Sequence, residues 1–229
     1  MFIQGFQKTT LLDFPGKIAA TVFTGGCNFR CPFCHNASLV THINREETIS
    51  EDEVLSYLNK RKNILDGVCI TGGEPLLHAD IGAFCDQIHG LGLSVKLDTN
   101  GSRPEALKEL IDRKQIDYIA MDIKNAKDAY AETCGLSEFP EGVEESIHLI
   151  MRSGIPYEFR TTVVREFHTA ERIRDLTNWI RGAQRYFLQS FTDSGDLIGT
   201  GLSALSATEM EELLSVARLT LPCTALRGI

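Results

Sequence analysis

The sequence predicts an α/β fold: about six βα units forming a parallel sheet or a partial barrel in a chain of 229 residues. Three observations carry that expectation. Short β-rich apolar runs alternate with stretches of helical period. Serine–glutamate pairs at capping-box spacing mark helix starts between the runs. The unusual polar residues fall just after the runs, at the carboxyl ends of strands, where parallel α/β sheets gather their chemistry.

Taken in order, residues 18–23, 67–71, 93–97, 116–121, 157–164 and 185–188 read as short buried strands. Residues 222–226 are a seventh candidate. Ser50 with Glu53 opens a helix whose Val54, Leu55 and Leu58 share one face, and Ser102 with Glu105 opens another. Val143, Ile147, Ile150 and Met151 form a later apolar stripe, followed by Ile173, Leu176 and Ile180. Ser206 and Glu209 open a last helix carrying Met210, Leu213, Leu214 and Ala217. No low-complexity segment or long Pro/Gly linker divides the chain, so residues 1–229 are expected to form one domain.

Bulk properties exclude several classes. The formal net charge of −8 argues against a protein that lives on nucleic acid or an anionic membrane. No apolar run is long enough to span a bilayer and the N-terminus lacks a signal pattern, so a cytoplasmic location is expected. Seven cysteines, an odd number, do not look like a disulfide framework.

Three of those cysteines lie in Cys27-Asn28-Phe29-Arg30-Cys31-Pro32-Phe33-Cys34, and the next is Cys69. Three thiolates can hold three irons of a [4Fe–4S] cubane and leave the fourth iron open to another ligand. The alternative is zinc with His35 as fourth ligand, although adjacent Cys34 and His35 close one tetrahedron awkwardly. Gly72-Gly73-Glu74-Pro75 is either a tight turn or a place where backbone approaches a ligand closely. Asp98-Thr99-Asn100-Gly101 is either a turn with a helix cap or part of a site. Arg160 is a cation inside an apolar strand, matched by an anionic cofactor or by a structural ion pair. Cys69, Cys85, Cys134 and Cys223 have no ligand spacing and read as packed thiols. His42, His78, His89, His148 and His168 form no sequence cluster, and Trp179 reads as packing.

The Cys-x3-Cys-x-aromatic-Cys run, with Phe33 in the aromatic position, resembles the signature of the radical S-adenosylmethionine (SAM) enzymes. The resemblance implies a partial (β/α)6 TIM-type barrel of the radical SAM kind and one [4Fe–4S] cluster on Cys27, Cys31 and Cys34. It implies SAM chelated to the open iron and cleaved on reduction to methionine and a 5′-deoxyadenosyl radical that abstracts a hydrogen atom. Gly72, Gly73 and Glu74 match the motif that binds the SAM amino group. The segments around Asp98 and Met121-Asp122-Ile123-Lys124 are similar to the glycyl radical activating enzymes. There, residues matching Asp98, Thr99 and Met121 lie beside the SAM carboxylate around a monovalent cation, and those matching Asp122 and Lys124 lie near the substrate peptide. Arg160 joins the expected cofactor-binding set.

Two segments, Gly5-Phe6-Gln7-Lys8-Thr9 with Asp13-Phe14-Pro15-Gly16-Lys17, and Thr24 through Asn36, resemble the activating proteins of anaerobic ribonucleoside-triphosphate reductase. The implied partners are that glycyl radical enzyme and a flavodoxin- or ferredoxin-type electron donor. Gln189-Ser190-Phe191 departs from the histidine-containing segment of pyruvate formate-lyase activating enzymes, and no cysteine-rich insertion between Val40 and Val54 provides a second cluster. A radical SAM enzyme acting on a small molecule, of the deazapurine-forming type, is the alternative. A zinc-stabilised binding module is the more distant one.

Overall fold

The computed structural model describes residues 1–43 and 47–228. Eight strands form one sheet in chain order: β1 (Ile3–Thr10), β2 (Ala19–Thr24), β3 (Gly67–Gly72), β4 (Ser94–Thr99), β5 (Tyr118–Asp122), β6 (Tyr157–Val163), β7 (Tyr186–Ser190) and β8 (Thr224–Arg227). β1 pairs antiparallel with β2, and every later pairing is parallel. Helices α1 (Ala37–Thr41) and α2 (Glu51–Arg61) join β2 to β3, α3 (Ile81–Gly90) joins β3 to β4, and α4 (Pro104–Asp112) joins β4 to β5. Then α5 (Lys127–Cys134) and α6 (Gly142–Arg152) precede β6, α7 (Ala170–Trp179) precedes β7, and α8 (Ala207–Arg218) precedes β8. The six expected βα units are present, with β1 and β8 at the two ends of a partial barrel.

Alternation along the strands separates two faces. Val68, Ile70, Val95, Leu97, Ile119, Met121 and Phe159 are buried in one cluster with Leu107 and Leu110 of α4 and Val143, Ile147 and Ile150 of α6. Burial of each such side chain contributes about 1.5–3 kcal/mol. The intervening residues Cys69, Lys96, Asp98, Asp122 and Arg160 meet one another across β3 to β6 on the opposite face. The helical stripe thus fixes which side of each strand is left for chemistry.

Three local departures matter for the site. β1 was not expected as a strand. Only Ile3 and Thr10 of its eight residues are buried, and its polar middle fits an edge that faces water. The helix expected to start at Ser102 begins at Pro104 after Arg103, with no side-chain cap. Pro104 presets the helical φ there, and Ser102 instead accepts a bond from the Asn28 amide at 2.8 Å. α5 has no sequence signal of a start, since Ala126 precedes it without a side-chain cap. By contrast Ser206 and Glu209 form the full reciprocal capping box, and Ser50 accepts the Glu53 N–H at 3.1 Å. Cys69, Cys85 and Cys134 are buried as expected, whereas Cys223 is exposed, because it lies on the turn before the short terminal strand β8. No helix among the described residues is long and apolar enough to cross a membrane.

Candidate active site

The loop after β2 carries the three cysteines and is gripped from two sides. The N–H of Arg30 donates to the Cys134 carbonyl at the end of α5, and the N–H of Gly199 donates to the Pro32 carbonyl, both at 2.8 Å. Gly135, which ends α5 at φ +65°, has no room for a side chain, because a Cβ would lie 2.5 Å from the Arg30 carbonyl oxygen. Phe29 and Phe33 are buried beneath the loop, and Phe33 packs on Phe167 with ring centroids 5.9 Å apart. A helix invisible in the sequence therefore helps to set the position of the cysteines.

The Gly-Gly turn after β3 grips the same loop from its base. Gly73 donates to the Thr24 carbonyl and Glu74 to the Gly26 carbonyl, each at 2.8 Å. A Cβ on Gly73 would sit 2.0 Å from the Gly26 carbonyl oxygen. The close approach that needs glycine here is thus between two segments of the chain.

Cys27, Cys31 and Cys34 line a cavity of about 420 Å³. Phe33, Gly72, Gly73, Asp98, Thr99, Asp122, Lys124 and Arg160 share its wall, along with Asp13, Asn100, Thr162 and Gln189. Eleven of the thirteen expected site residues therefore meet in one place. Two do not present side chains to it. Met121 is wholly buried on the helix-facing side of β5. Glu74 is also wholly buried and accepts bonds from Asn100 N–H at 2.7 Å, Thr99 hydroxyl at 2.8 Å and Leu76 N–H at 3.1 Å.

Burial pushes the Glu74 carboxyl up to about 7, against those three donors. Between its ordinary value of 4.5 and about 7, native Glu74 holds a proton that the unfolded chain has released. Its contribution to stability therefore falls as pH rises through that range. Glu74→Gln is expected to remove this slope. The check is the difference in urea unfolding free energy between wild type and variant from pH 4.5 to 7. A difference that stays constant with pH would show that Glu74 titrates alike in the native and unfolded chains.

In the same cavity as the cysteines runs a chain of alternating charges. Arg160 donates from Nη1 to Asp98 at 3.1 Å and from Nε to Asp122 at 2.9 Å. Lys124 donates to the other oxygen of Asp122 at 3.0 Å. Lys96, on the same side of β4 as Asp98, donates to the second oxygen of Asp98. Desolvation opposes ionisation of both carboxyls, but Arg160 with Lys124 holds Asp122, and Arg160 with Lys96 holds Asp98, below the usual carboxylate range. The expected monovalent cation beside Asp98 thus meets a carboxylate already flanked by two cations of the chain.

The thiols differ among themselves. Burial pushes Cys27 up to about 11 and also raises Cys34. A hydrogen bond from the Cys134 thiol holds Cys31 low despite its burial. Asn100 reaches Cys27 Sγ at 3.7 Å and Asn28 at 3.1 Å. Asn100 and Lys96 were missed as site residues. Lys96 carries the same signal as Arg160, a cation within an apolar strand.

Among the described residues, no three histidine, cysteine, aspartate or glutamate side chains converge on one metal ion, as the zinc reading with His35 requires. His35 stands edge-on to Phe191 at 5.6 Å. Three thiols, all free of disulfides, on the wall of one cavity are donors suited to separate irons of a cubane. The facing arginine and lysine suit a ligand with a carboxylate.

Fold and donor set thus suit an enzyme that holds an iron–sulfur centre on cysteines in an open α/β barrel. The chain belongs to the radical SAM superfamily, whose family description it matches over residues 21–180. It is 30% identical to a Methanocaldococcus jannaschii protein named as a candidate glycyl-radical enzyme activating enzyme, over 99% of this chain and 96% of that one. It is 29% identical to the pyruvate formate-lyase-activating enzyme of Clostridium pasteurianum, over 78% of this chain and 76% of that one. Its fold is similar to Streptococcus suis SuiB bound to S-adenosylmethionine, with a TM-score of 0.71 at 16% identity over 89% of this chain. The match spans about half, 48%, of the SuiB chain. The family implies a [4Fe–4S] cluster and SAM, and the protein is a radical SAM enzyme.

Proposed function

We propose that the protein is an activase that installs a glycyl radical on a partner enzyme, with anaerobic ribonucleoside-triphosphate reductase as the partner. The observation that carries this reading is the likeness, along 99% of the chain, to a candidate glycyl-radical enzyme activating enzyme. The resemblance of the two N-terminal segments supports the choice of partner. Electrons come from a flavodoxin- or ferredoxin-type donor.

When bound, the reduced cluster and SAM supply a carbon radical able to remove a hydrogen atom from a glycine. The residues have the following roles. Cys27, Cys31 and Cys34 each hold one iron. Phe33 keeps the loop seated on Phe167, which fixes where the cluster lies. Gly72 and Gly73 present backbone to the SAM amino group. Arg160, with Asp98 and Thr99, receives the SAM carboxylate. Asp122 and Lys124, further along the same wall, meet the partner's glycine segment. Glu74 and Met121 act indirectly. Glu74 ties Thr99 and Asn100 to the Gly-Gly turn, and Met121 packs beneath Gly101.

The test is production of 5′-deoxyadenosine from SAM by the reduced protein under anaerobic conditions, followed by chromatography. It is expected to rise on adding the partner enzyme. Full production with a small molecule and no partner would favour the small-molecule reading instead.

A further inference from the structure

Lys96 is a charged side chain with 1% exposure, two residues before Asp98 on the same side of β4. It does not line the cavity, whereas Asp98 does. Its ammonium donates to Asp98 Oδ1 and lies 3.6 Å from the Cys69 sulfur. Asp98 Oδ2 is held by Arg160 at 3.1 Å. Both oxygens of the carboxylate nearest the expected SAM carboxylate are therefore engaged by cations of the chain itself.

We propose that Lys96 is the built-in counter-cation of the SAM carboxylate site, neutralising Asp98 from behind so that no monovalent cation need be bound. This rests on the cofactor reading above. Two carboxylates brought together repel unless a positive charge stands between or beside them. Arg160 alone does not suffice, because it is shared with Asp122 through a second bond at 2.9 Å. Asp122 has Lys124 as its own second cation, and Lys96 gives Asp98 the same arrangement. Lys96 and Lys124 thus stand at the two ends of this chain of five groups, each on the carboxylate that Arg160 shares. Two other carboxylates lie nearby and have partners of their own. Glu158 is held by Arg227 at 2.8 and 3.1 Å, and Asp13 by the Thr21 hydroxyl at 2.5 Å.

A purely structural role for the Lys96–Asp98 pair makes a different forecast. Removing Lys96 would then lower stability and cluster loading but create no appetite for small cations. The experiment measures SAM binding to the reduced, cluster-loaded protein by the change in its paramagnetic spectrum. Sodium, potassium, ammonium and tetramethylammonium are compared at fixed ionic strength. Wild type is expected to bind equally in all four. Lys96→Met is expected to lose about tenfold in affinity in tetramethylammonium, the scale of one charge contact. It should recover several-fold in potassium or ammonium. Lys96→Gln, which keeps a polar partner for Asp98, should show the same rescue if the Met variant folds poorly.

Wild-type affinity that rises several-fold with potassium would overturn the role of Lys96. So would variants whose loss is the same in every cation. Absence of any SAM effect in loaded wild-type protein would instead overturn the cofactor reading, and the role of Lys96 with it.

Discussion

Replacing Cys27, Cys31 or Cys34 by alanine is expected to abolish the brown, oxygen-labile chromophore of the anaerobically prepared protein, with iron falling from about four per chain to near none. The three thiols share one loop and one cavity wall, so loss of any one leaves two ligands for a cluster that already lacks a fourth. Cys69→Ala, Cys85→Ala and Cys223→Ala should keep their iron, since two of these thiols are buried away from the cavity wall and the third is exposed on a turn. Cys134→Ala is the discriminating control. Its carbonyl accepts the Arg30 N–H at 2.8 Å, which seats this cysteine against the cluster loop and makes it the candidate for a fourth ligand. Retained iron in that variant means that Cys134 is a neighbour. Lost iron means that all four positions are closed and no iron is left for SAM.

The second large effect is expected at Arg160. Among the described residues its guanidinium is the one group that bonds both Asp98 and Asp122, and its side chain is 14% exposed. Arg160→Met removes the shared cation and leaves two carboxylates facing one wall, each with a single lysine. Breaking a buried ion pair by deleting one partner costs about 3–5 kcal/mol, and a loss of that size in unfolding free energy is expected. Arg160→Lys keeps the charge but cannot fork to both carboxylates. Its expected loss is smaller, about 1–3 kcal/mol, the cost of leaving a buried acceptor without its donor. SAM binding should fall in both variants. If Arg160→Met unfolded at the wild-type denaturant concentration, the charge chain would contribute nothing to the fold.

Much of the site was legible because its signals are local. The cysteine spacing lies in one loop, and the capping box at Ser206 and Glu209 within one helical turn. The strand-end positions of Asp98 and Asp122, and the place of Arg160 inside its strand, follow from apolar runs long enough to recognise. What escaped depends on tertiary context. β1 is an edge strand, so half of its pattern is written by water. The polar start of α5 and its small residues give it no broad apolar stripe, yet its Cys134 and Gly135 hold the cysteine loop.

The misplacement of Met121 has a simpler cause. Met121 points to the helix-facing side of β5, where it packs against Gly101, whereas Asp122 points into the cavity. Glu74 was assigned to the cofactor by its place in a motif, but a motif does not state where a side chain turns. Its carboxylate meets donors from the next strand end, 25 and 26 residues later. Lys96 was hidden by standing one layer below the strand ends on which attention falls.

The most direct test of the activase reading is paramagnetic resonance on an anaerobic mixture of the reduced protein, SAM and anaerobic ribonucleoside-triphosphate reductase. A glycine-centred radical on the reductase is expected. It should need all three components and should vanish when the reductase glycine is replaced by alanine or when Cys31→Ala stands in for the wild-type activase. SAM cleavage without any protein-based radical on the reductase or another glycyl radical enzyme, at a rate indifferent to their presence, would contradict it.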